Sequence, residues 1–138
     1  MIIAEAGRLG AAMVRGYQGG GPADPTAILA TAKHFAGYSE TQGGRDASEA
    51  DISRRKLRSW FLPPFERAVQ EGCRTFMLGY QSMDGVPITA NRWLLNDVLK
   101  QEWGFTGTVV SDYFEMTKPK VQSLLLFTTV TTMYVAGT

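Results

Sequence analysis

The chain has 138 residues, which allows at most one domain with a single modest core. Apolar residues make up 44% and charged residues 20%, as is ordinary for a globular chain. The net charge of +1 and the mixing of acids with bases predict no nucleic-acid partner and no membrane partner. The single cysteine, Cys73, excludes an internal disulfide, and the first residues do not show a signal-peptide pattern.

Apolar residues at helical spacing predict a first helix from about residue 3 to residue 17, with no N-cap before it. Three glycines and a proline at residues 19–22 end that helix. Residues 28–35 suit a short helical turn or a strand, and residues 36–50 form a long glycine-containing loop. A loop of this length in a compact domain is often functional.

The next segment predicts two helices. Ser48 or Asp51 caps a helix through residues 53–61, which Pro63 and Pro64 break. A second helix then runs from residue 64 to residue 72, because proline suits a first helical position and glycine a C-terminal stop.

The remaining elements are a strand at 74–79, a turn at 84–87 and a helix that Asn91 caps. A strand at 108–111 follows, which its β-branched run predicts to be buried on both faces. Helices alternating with strands indicate an α/β fold of about three parallel βα units. This is part of a (β/α)8 TIM-type barrel, whose usual length is about 250 residues. Residues 1–116 are predicted to form this fragment, and the divergent tail 117–138 lies outside it.

Residues able to do chemistry come at the predicted strand ends. Lys33 and His34 follow one strand, Tyr80 follows the next, and Asp112 follows the last. Because the carboxyl ends of barrel strands converge on one face, these side chains form a set suited to a hydroxyl-rich ligand. Each also has a structural alternative: Asp112 as a helix cap or ion-pair partner, the Lys-His pair as a surface lysine beside a core histidine, Tyr80 as core packing.

A series of motifs joins these residues. In chain order they are KHFAGY at 33–38, GGRD at 43–46, LPPFE at 62–66, MLGY at 77–80 with DGVP at 84–87, LLNDVL at 94–99, EWGFTG at 102–107 and VVSD at 109–112. Together, over residues 3–116, they resemble glycoside hydrolase family 3, in particular its β-glucosidase and β-xylosidase branch.

The resemblance implies a retaining glycosidase in which Asp112 is the nucleophile. Tyr113 stands where the family usually has tryptophan, and Arg45 and Asp46 shape the loop after the Lys-His motif. The resemblance also implies which side chains contact the sugar next to the scissile bond: Lys33, His34, Met77 and Tyr80. No metal and no cofactor is implied, and the substrate is a β-linked glucoside or xyloside. The branch acting on N-acetylglucosamine is disfavoured because no histidine follows His34.

The family's acid/base glutamate comes from a second domain, and no carboxylate here matches it. Glu40, Glu49 and Glu115 are better read as solvated loop or cap residues. We therefore expect little or no activity from this chain alone. Three other functions fit parts of the sequence: a module that binds sugar without hydrolysis, a structural remnant that associates through exposed barrel edges, and an enzyme that forms a Schiff base at Lys33.

Overall fold

The computed structural model describes residues 2–21 and 23–111. The α-helices are α1 (Ile2–Gln18), α2 (Arg54–Lys56) and α3 (Leu62–Gln70), and two segments are π-helical, Leu57–Phe61 and Trp93–Glu102. The strands are β1 (Thr31–Phe35), β2 (Thr75–Leu78), β3 (Ser82–Met83), β4 (Val86–Pro87) and β5 (Thr108–Val110). Short 3₁₀ turns occupy Tyr38–Glu40, Gln42–Gly44 and Ile88–Ala90.

The main sheet has the order β1-β2-β5, and all its strands are parallel. Helical segments connect β1 to β2 and β2 to β5, so each pair of neighbouring strands is joined by a crossover, as the sequence predicts. β3 and β4 form a separate antiparallel hairpin. Within the described residues, β1 and β5 each have a strand partner on one side only. The carboxyl ends of the three parallel strands therefore lie along one edge of the sheet.

An aromatic core lies between the sheet and the helices. Phe35 and Phe76 are fully buried, and their rings meet edge-to-face with centroids 5.4 Å apart. Phe65 of α3 lies 5.2 Å from Phe35, and Phe105 lies 4.8 Å from Phe76. Cys73 belongs to this core as a small buried residue that is 4% exposed.

α1 packs on α3 through its smallest side chains. Gly7, Ala11 and Val14 are the buried residues of α1, and they share one helical face. A Cβ atom added to Gly7 would lie 3.6 Å from the backbone of Pro64, an ordinary van der Waals distance, so Gly7 lies directly at the contact between the two helices. Leu9 and Met13 point away from this contact and are 62% and 57% exposed.

The prediction that Pro63 and Pro64 break a helix is wrong. The chain stays helical from Arg54 to Gln70, with π-helical winding at Leu57–Phe61 immediately before the prolines. Proline removes the N–H that an α-helix needs and its ring crowds the carbonyl one turn back, and the wider π turn relieves this crowding. The predicted caps are also wrong, because the cap is Ser53, whose hydroxyl accepts from the Lys56 amide at 3.2 Å.

Other signals hold. Asn91 caps the next helix by accepting from the Leu94 amide at 3.1 Å, and Gly72 ends α3 with a positive φ of 82°. The predicted turn is a β-hairpin whose two turn residues, Asp84 and Gly85, both have positive φ. β5 is not buried on both faces, because Val110 at this sheet edge is 37% exposed.

Among the helices in residues 2–21 and 23–111, none has the length and apolar character needed to cross a membrane.

Candidate functional site

The carboxyl ends of β1 and β2 bring three rings together. The His34 ring centroid lies 4.8 Å from that of Tyr38 and 6.2 Å from that of Tyr80. The two tyrosine rings lie 5.9 Å apart, so the three rings contact one another and form an aromatic cluster. All three side chains are half-buried. The structure thus confirms that His34 and Tyr80 lie close together, and it adds Tyr38.

A β-bulge in β1 carries the Lys-His motif. Ala32 lies opposite Phe76 and Phe35 lies opposite Leu78, so Lys33 and His34 together face the single residue Met77. Bulges re-aim side chains and are frequent beside functional sites. The bulge interrupts the alternation of side chains between the two faces of the strand. Lys33 and His34 therefore need not lie on opposite faces as neighbours in a regular strand do.

Lys33 is exposed and lies outside the ring contacts of His34. It lines a groove of about 300 Å³ between α1, α3 and the free edge of β1. Met77 is half-buried on β2 and is paired in register with Val110 of β5. Neighbouring residues Phe76 and Leu78 are buried in the core, so Met77 lies on the opposite face of the sheet.

The remaining two predicted site residues, Asp112 and Tyr113, lie outside the described residues. The preceding strand, β5, is parallel to β2 and in register with it. The chain therefore leaves β5 at the same edge of the sheet at which β1 and β2 end. No observation tests the roles predicted for these two residues.

The loop after β1 folds back onto the aromatic cluster. The Tyr38 hydroxyl donates a hydrogen bond to the Asp46 carboxylate, which fixes the direction of the phenol. Arg45 takes part through its backbone, because its carbonyl accepts from the Ser48 hydroxyl at 3.0 Å. Sequence reasoning read Asp46 as loop-shaping but did not identify Tyr38, although Tyr38 belongs to the KHFAGY motif.

A buried amide lies directly behind the cluster. Gln81 follows Tyr80 and is fully buried, and its Nε2 donates to the carbonyl of Ala36 at 2.8 Å. Its Oε1 has no hydrogen-bond partner among the described residues and lies against Gly79. Gln81 thus connects the segments that follow β1 and β2. Sequence reasoning missed it, because a glutamine after a tyrosine carries no local signal of burial.

Two of the candidate acid/base carboxylates, Glu40 and Glu49, lie in the described residues, and both are bound to neighbouring groups. Glu40 forms an ion pair with Lys56 at 2.5 Å, and Glu49 accepts hydrogen bonds from Ser82 and Gly85. These contacts agree with the reading of both as loop residues. In the described part of the chain, no three His, Cys, Asp or Glu side chains come close enough to hold a metal ion.

Comparison with known proteins decides the family. The glycosyl hydrolase family 3 N-terminal domain matches residues 3–129 of the chain. The chain belongs to glycosyl hydrolase family 3. The parallel strands β1, β2 and β5 are accordingly part of a TIM-type barrel, as the sequence predicts. The domain boundary expected at residue 116 stays a prediction.

Relatives within family 3 include glucosidases and xylosidases. A β-xylosidase of Formosa agariphila is 47% identical over 108 residues, which are 76% of this chain and 15% of that protein. A solved β-glucosidase of intestinal bacteria, involved in saponin metabolism, is 65% identical with a TM-score of 0.73, over 77% of this chain and 14% of that one. A Listeria innocua β-glucosidase solved with glucose is 37% identical with a TM-score of 0.73, over 77% of this chain and 15% of that one. This chain thus spans about one seventh of its relatives' length.

Proposed function

We propose that this chain supplies the sugar-binding edge and the nucleophile of a retaining β-glycosidase acting on glucosides or xylosides. The observation that carries the proposal is the parallel, in-register arrangement of β1, β2 and β5. It brings the His34 and Tyr80 rings to the edge at which the chain continues to Asp112. The relatives described above are glucosidases and xylosidases, which gives the substrate class.

The residue types suit a pyranose ring. Aromatic faces from Tyr38 and Tyr80 offer stacking area for the apolar face of a sugar, while His34 offers ring nitrogens for its hydroxyls. Lys33, which lines the groove beside α1, does not belong to this set. Met77, on the sheet face opposite the core, supplies an adaptable apolar contact.

The proposed reaction begins with attack of the Asp112 carboxylate on the anomeric carbon. The bond to the leaving oxygen breaks, the leaving group takes a proton from a second carboxylic acid, and water then hydrolyses the glycosyl ester. In retaining enzymes the two carboxyl groups lie about 5–5.5 Å apart. The residue after the proposed nucleophile is Tyr113, an aromatic type that suits the apolar face of a sugar.

The acid/base group is expected to come from another polypeptide segment, because Glu40 and Glu49 are already bound to neighbours. The chain alone should therefore form a glycosyl ester only with a substrate whose leaving group needs no proton. 2-Deoxy-2-fluoro-β-glucosyl fluoride is such a substrate, because fluoride leaves unaided.

The experiment is mass spectrometry of the intact chain after incubation with this reagent, followed by peptide mapping. We expect one fluoroglucosyl adduct, located on Asp112, and no adduct in Asp112→Asn. Methyl β-glucoside, whose methoxide leaving group needs a proton, should give no measurable turnover under the same conditions. A label on another residue, or none at saturating reagent, would contradict the role of Asp112.

Binding without chemistry is tested separately by calorimetry with glucose and xylose. Wild-type binding that His34→Ala weakens, together with no fluoroglucosyl adduct, would favour the sugar-binding module over the glycosidase. Binding unchanged in His34→Ala would exclude the aromatic cluster as the sugar site. A matched control is Tyr17→Ala, which removes an exposed ring on α1.

A further inference from the structure

Residues 41–50, here called the strap, form a closed loop. Thr41 and Ala50 at its two ends make an antiparallel bridge, and the Gln42 amide donates to the Glu49 carbonyl at 2.9 Å. Inside the strap the Ser48 hydroxyl lies 3.2 Å from the Gln42 carbonyl, a second acceptor beside that of Arg45. The strap is therefore an ordered unit.

The strap lies against the β3–β4 hairpin through backbone and side chain together. The Ala50 amide donates to the Ser82 carbonyl at 2.9 Å, and the Ser82 amide donates to the Ser48 carbonyl at 3.3 Å. The Glu49 carboxylate accepts from the Ser82 hydroxyl and, at 3.2 Å, from the amide of the turn residue Gly85. These hydrogen bonds, the Ser82 hydroxyl first, lower the pKa of Glu49 below its usual value. An ionised carboxylate thus binds both the first residue of β3 and the turn of the hairpin.

The strap also contacts the aromatic cluster. Asp46 accepts from the Tyr38 hydroxyl, and Tyr38 contacts the His34 ring. Ala47, the next residue, has a positive φ of 57°, a conformation that costs a residue with a Cβ about 1–2 kcal/mol. Such a conformation persists only where the surroundings impose it, and it is commonest near functional sites. The strained residue Ala47 and the anchoring residue Glu49 are thus separated only by Ser48.

We infer that Glu49 is a positioning residue: it anchors the strap to the hairpin so that Asp46 holds Tyr38 against His34 before any sugar arrives. Glu49 makes no ring contact itself and acts through the strap. The inference builds on the proposed function, because the cluster that it positions is the proposed sugar site. The role inferred for the Glu49 carboxylate is therefore to hold the strap in place and not to act as an acid or base.

The first test measures ring positions and amide exchange by NMR without sugar. In Glu49→Ala we expect the amides of Gln42, Ala50 and Gly85 to exchange at least about tenfold faster, since a hydrogen bond to a charged group is lost. The nuclear Overhauser contacts between the Tyr38 and His34 rings should weaken in parallel. Glu5→Ala, which removes an exposed carboxylate from α1, should leave both readouts unchanged.

A double-mutant cycle distinguishes positioning of Tyr38 by Glu49 from a general loss of structure. Tyr38→Phe keeps the ring but removes the hydroxyl that binds Asp46, so Glu49→Ala added to Tyr38→Phe should no longer move the ring at position 38. Should Glu49→Ala unfold the chain, Ser82→Ala removes only the hydroxyl and provides the milder variant. Ring contacts unchanged by Glu49→Ala in the folded chain, or ring movement equal in both backgrounds, would overturn the inference.

Glucose titration completes the test. If the inference holds, Glu49→Ala weakens glucose binding several-fold and Glu49→Asp restores part of it. A wild-type chain that binds no glucose would overturn the proposed sugar site. The ring and exchange measurements would still decide the role of Glu49.

Discussion

Gly79 leaves room for the side chain of Gln81, and replacing it with alanine tests this packing directly. An alanine Cβ at position 79 would lie 2.1 Å from Gln81 Oε1 and 3.2 Å from Nε2. Non-bonded atoms do not approach to 2.1 Å, so the Gln81 amide must shift. We expect this shift to break the hydrogen bond from Gln81 to the Ala36 carbonyl.

The cost can be estimated from these contacts. Leaving the buried Ala36 carbonyl without its donor costs about 1–3 kcal/mol. We expect Gly79→Ala to lower the free energy of unfolding by about 1–3 kcal/mol, a sizeable share of the roughly 5–15 kcal/mol that holds a typical domain together. Urea unfolding followed by tryptophan fluorescence measures this difference.

Two further variants make the result decisive. Gly16→Ala is the control, because no heavy atom lies within 4 Å of a Cβ there and alanine in helix α1 should stabilise by up to about 1 kcal/mol. Once Gln81→Ala has removed the opposing oxygen, adding Gly79→Ala should cost less than about 0.5 kcal/mol. An equal cost of Gly79→Ala in both backgrounds would refute the role of Gln81.

Three other outcomes are expected. Ala47→Gly should raise the free energy of unfolding by about 0.5–1 kcal/mol in urea titrations, since glycine adopts the positive φ of 57° without crowding; a loss of stability would contradict this. Gly107→Ala should destabilise strongly in the same assay and release β5 from β2, because its Cβ would lie 2.2 Å from the Arg74 carbonyl oxygen; unchanged exchange of the β5 amides would refute it. Hydrogen bonds from an arginine to Glu102 and from a serine to Glu49 hold both pKa values below the usual 4.5. The stability that these two glutamates contribute is therefore present above about pH 4.5 and is lost as the pH falls through their lowered pKa values. A thermal unfolding temperature that does not fall on acidification below about pH 4.5 would contradict this prediction.

Much of the fold was predictable because its signals are local. Asn91 as a cap and Gly72 as a stop depend only on the backbone conformation that these residue types favour. The strand over residues 75–78 follows from its own apolar run between turn signals. The parallel order then follows from alternation of helices and strands, which needs no knowledge of distant contacts.

The errors arise where two preferences compete. Pro63 and Pro64 are strong breakers, yet the helix continues because Leu57, the first residue of the π turn, and Leu62, immediately after it, are both buried in the core. Tertiary packing outweighs the local preference of proline here. The wrong prediction that β5 is buried on both faces had a different cause. Whether a strand is covered depends on neighbouring elements, and the exposed Val110 shows that they do not cover this edge.

The candidate site was predictable only in part. His34 and Tyr80 carry recognisable chemistry at strand ends, and the structure brings their rings together. Tyr38, Gln81 and Glu49 act through contacts with residues up to 45 positions away in the chain, such as the bond from Gln81 to Ala36. No spacing rule connects such partners, so only the folded backbone identifies them.

The one-sided pairing of β1 and β5 also determines how copies of this chain can add to one another. In the described residues the sheet has two different ends, so contact of β1 with β5 of the next copy would be head-to-tail and would keep every strand parallel. Such contacts either close into a ring or continue as a filament, depending on the rotation per copy. Contact of β1 with its own counterpart must instead be antiparallel about a two-fold axis, which stops growth at a pair.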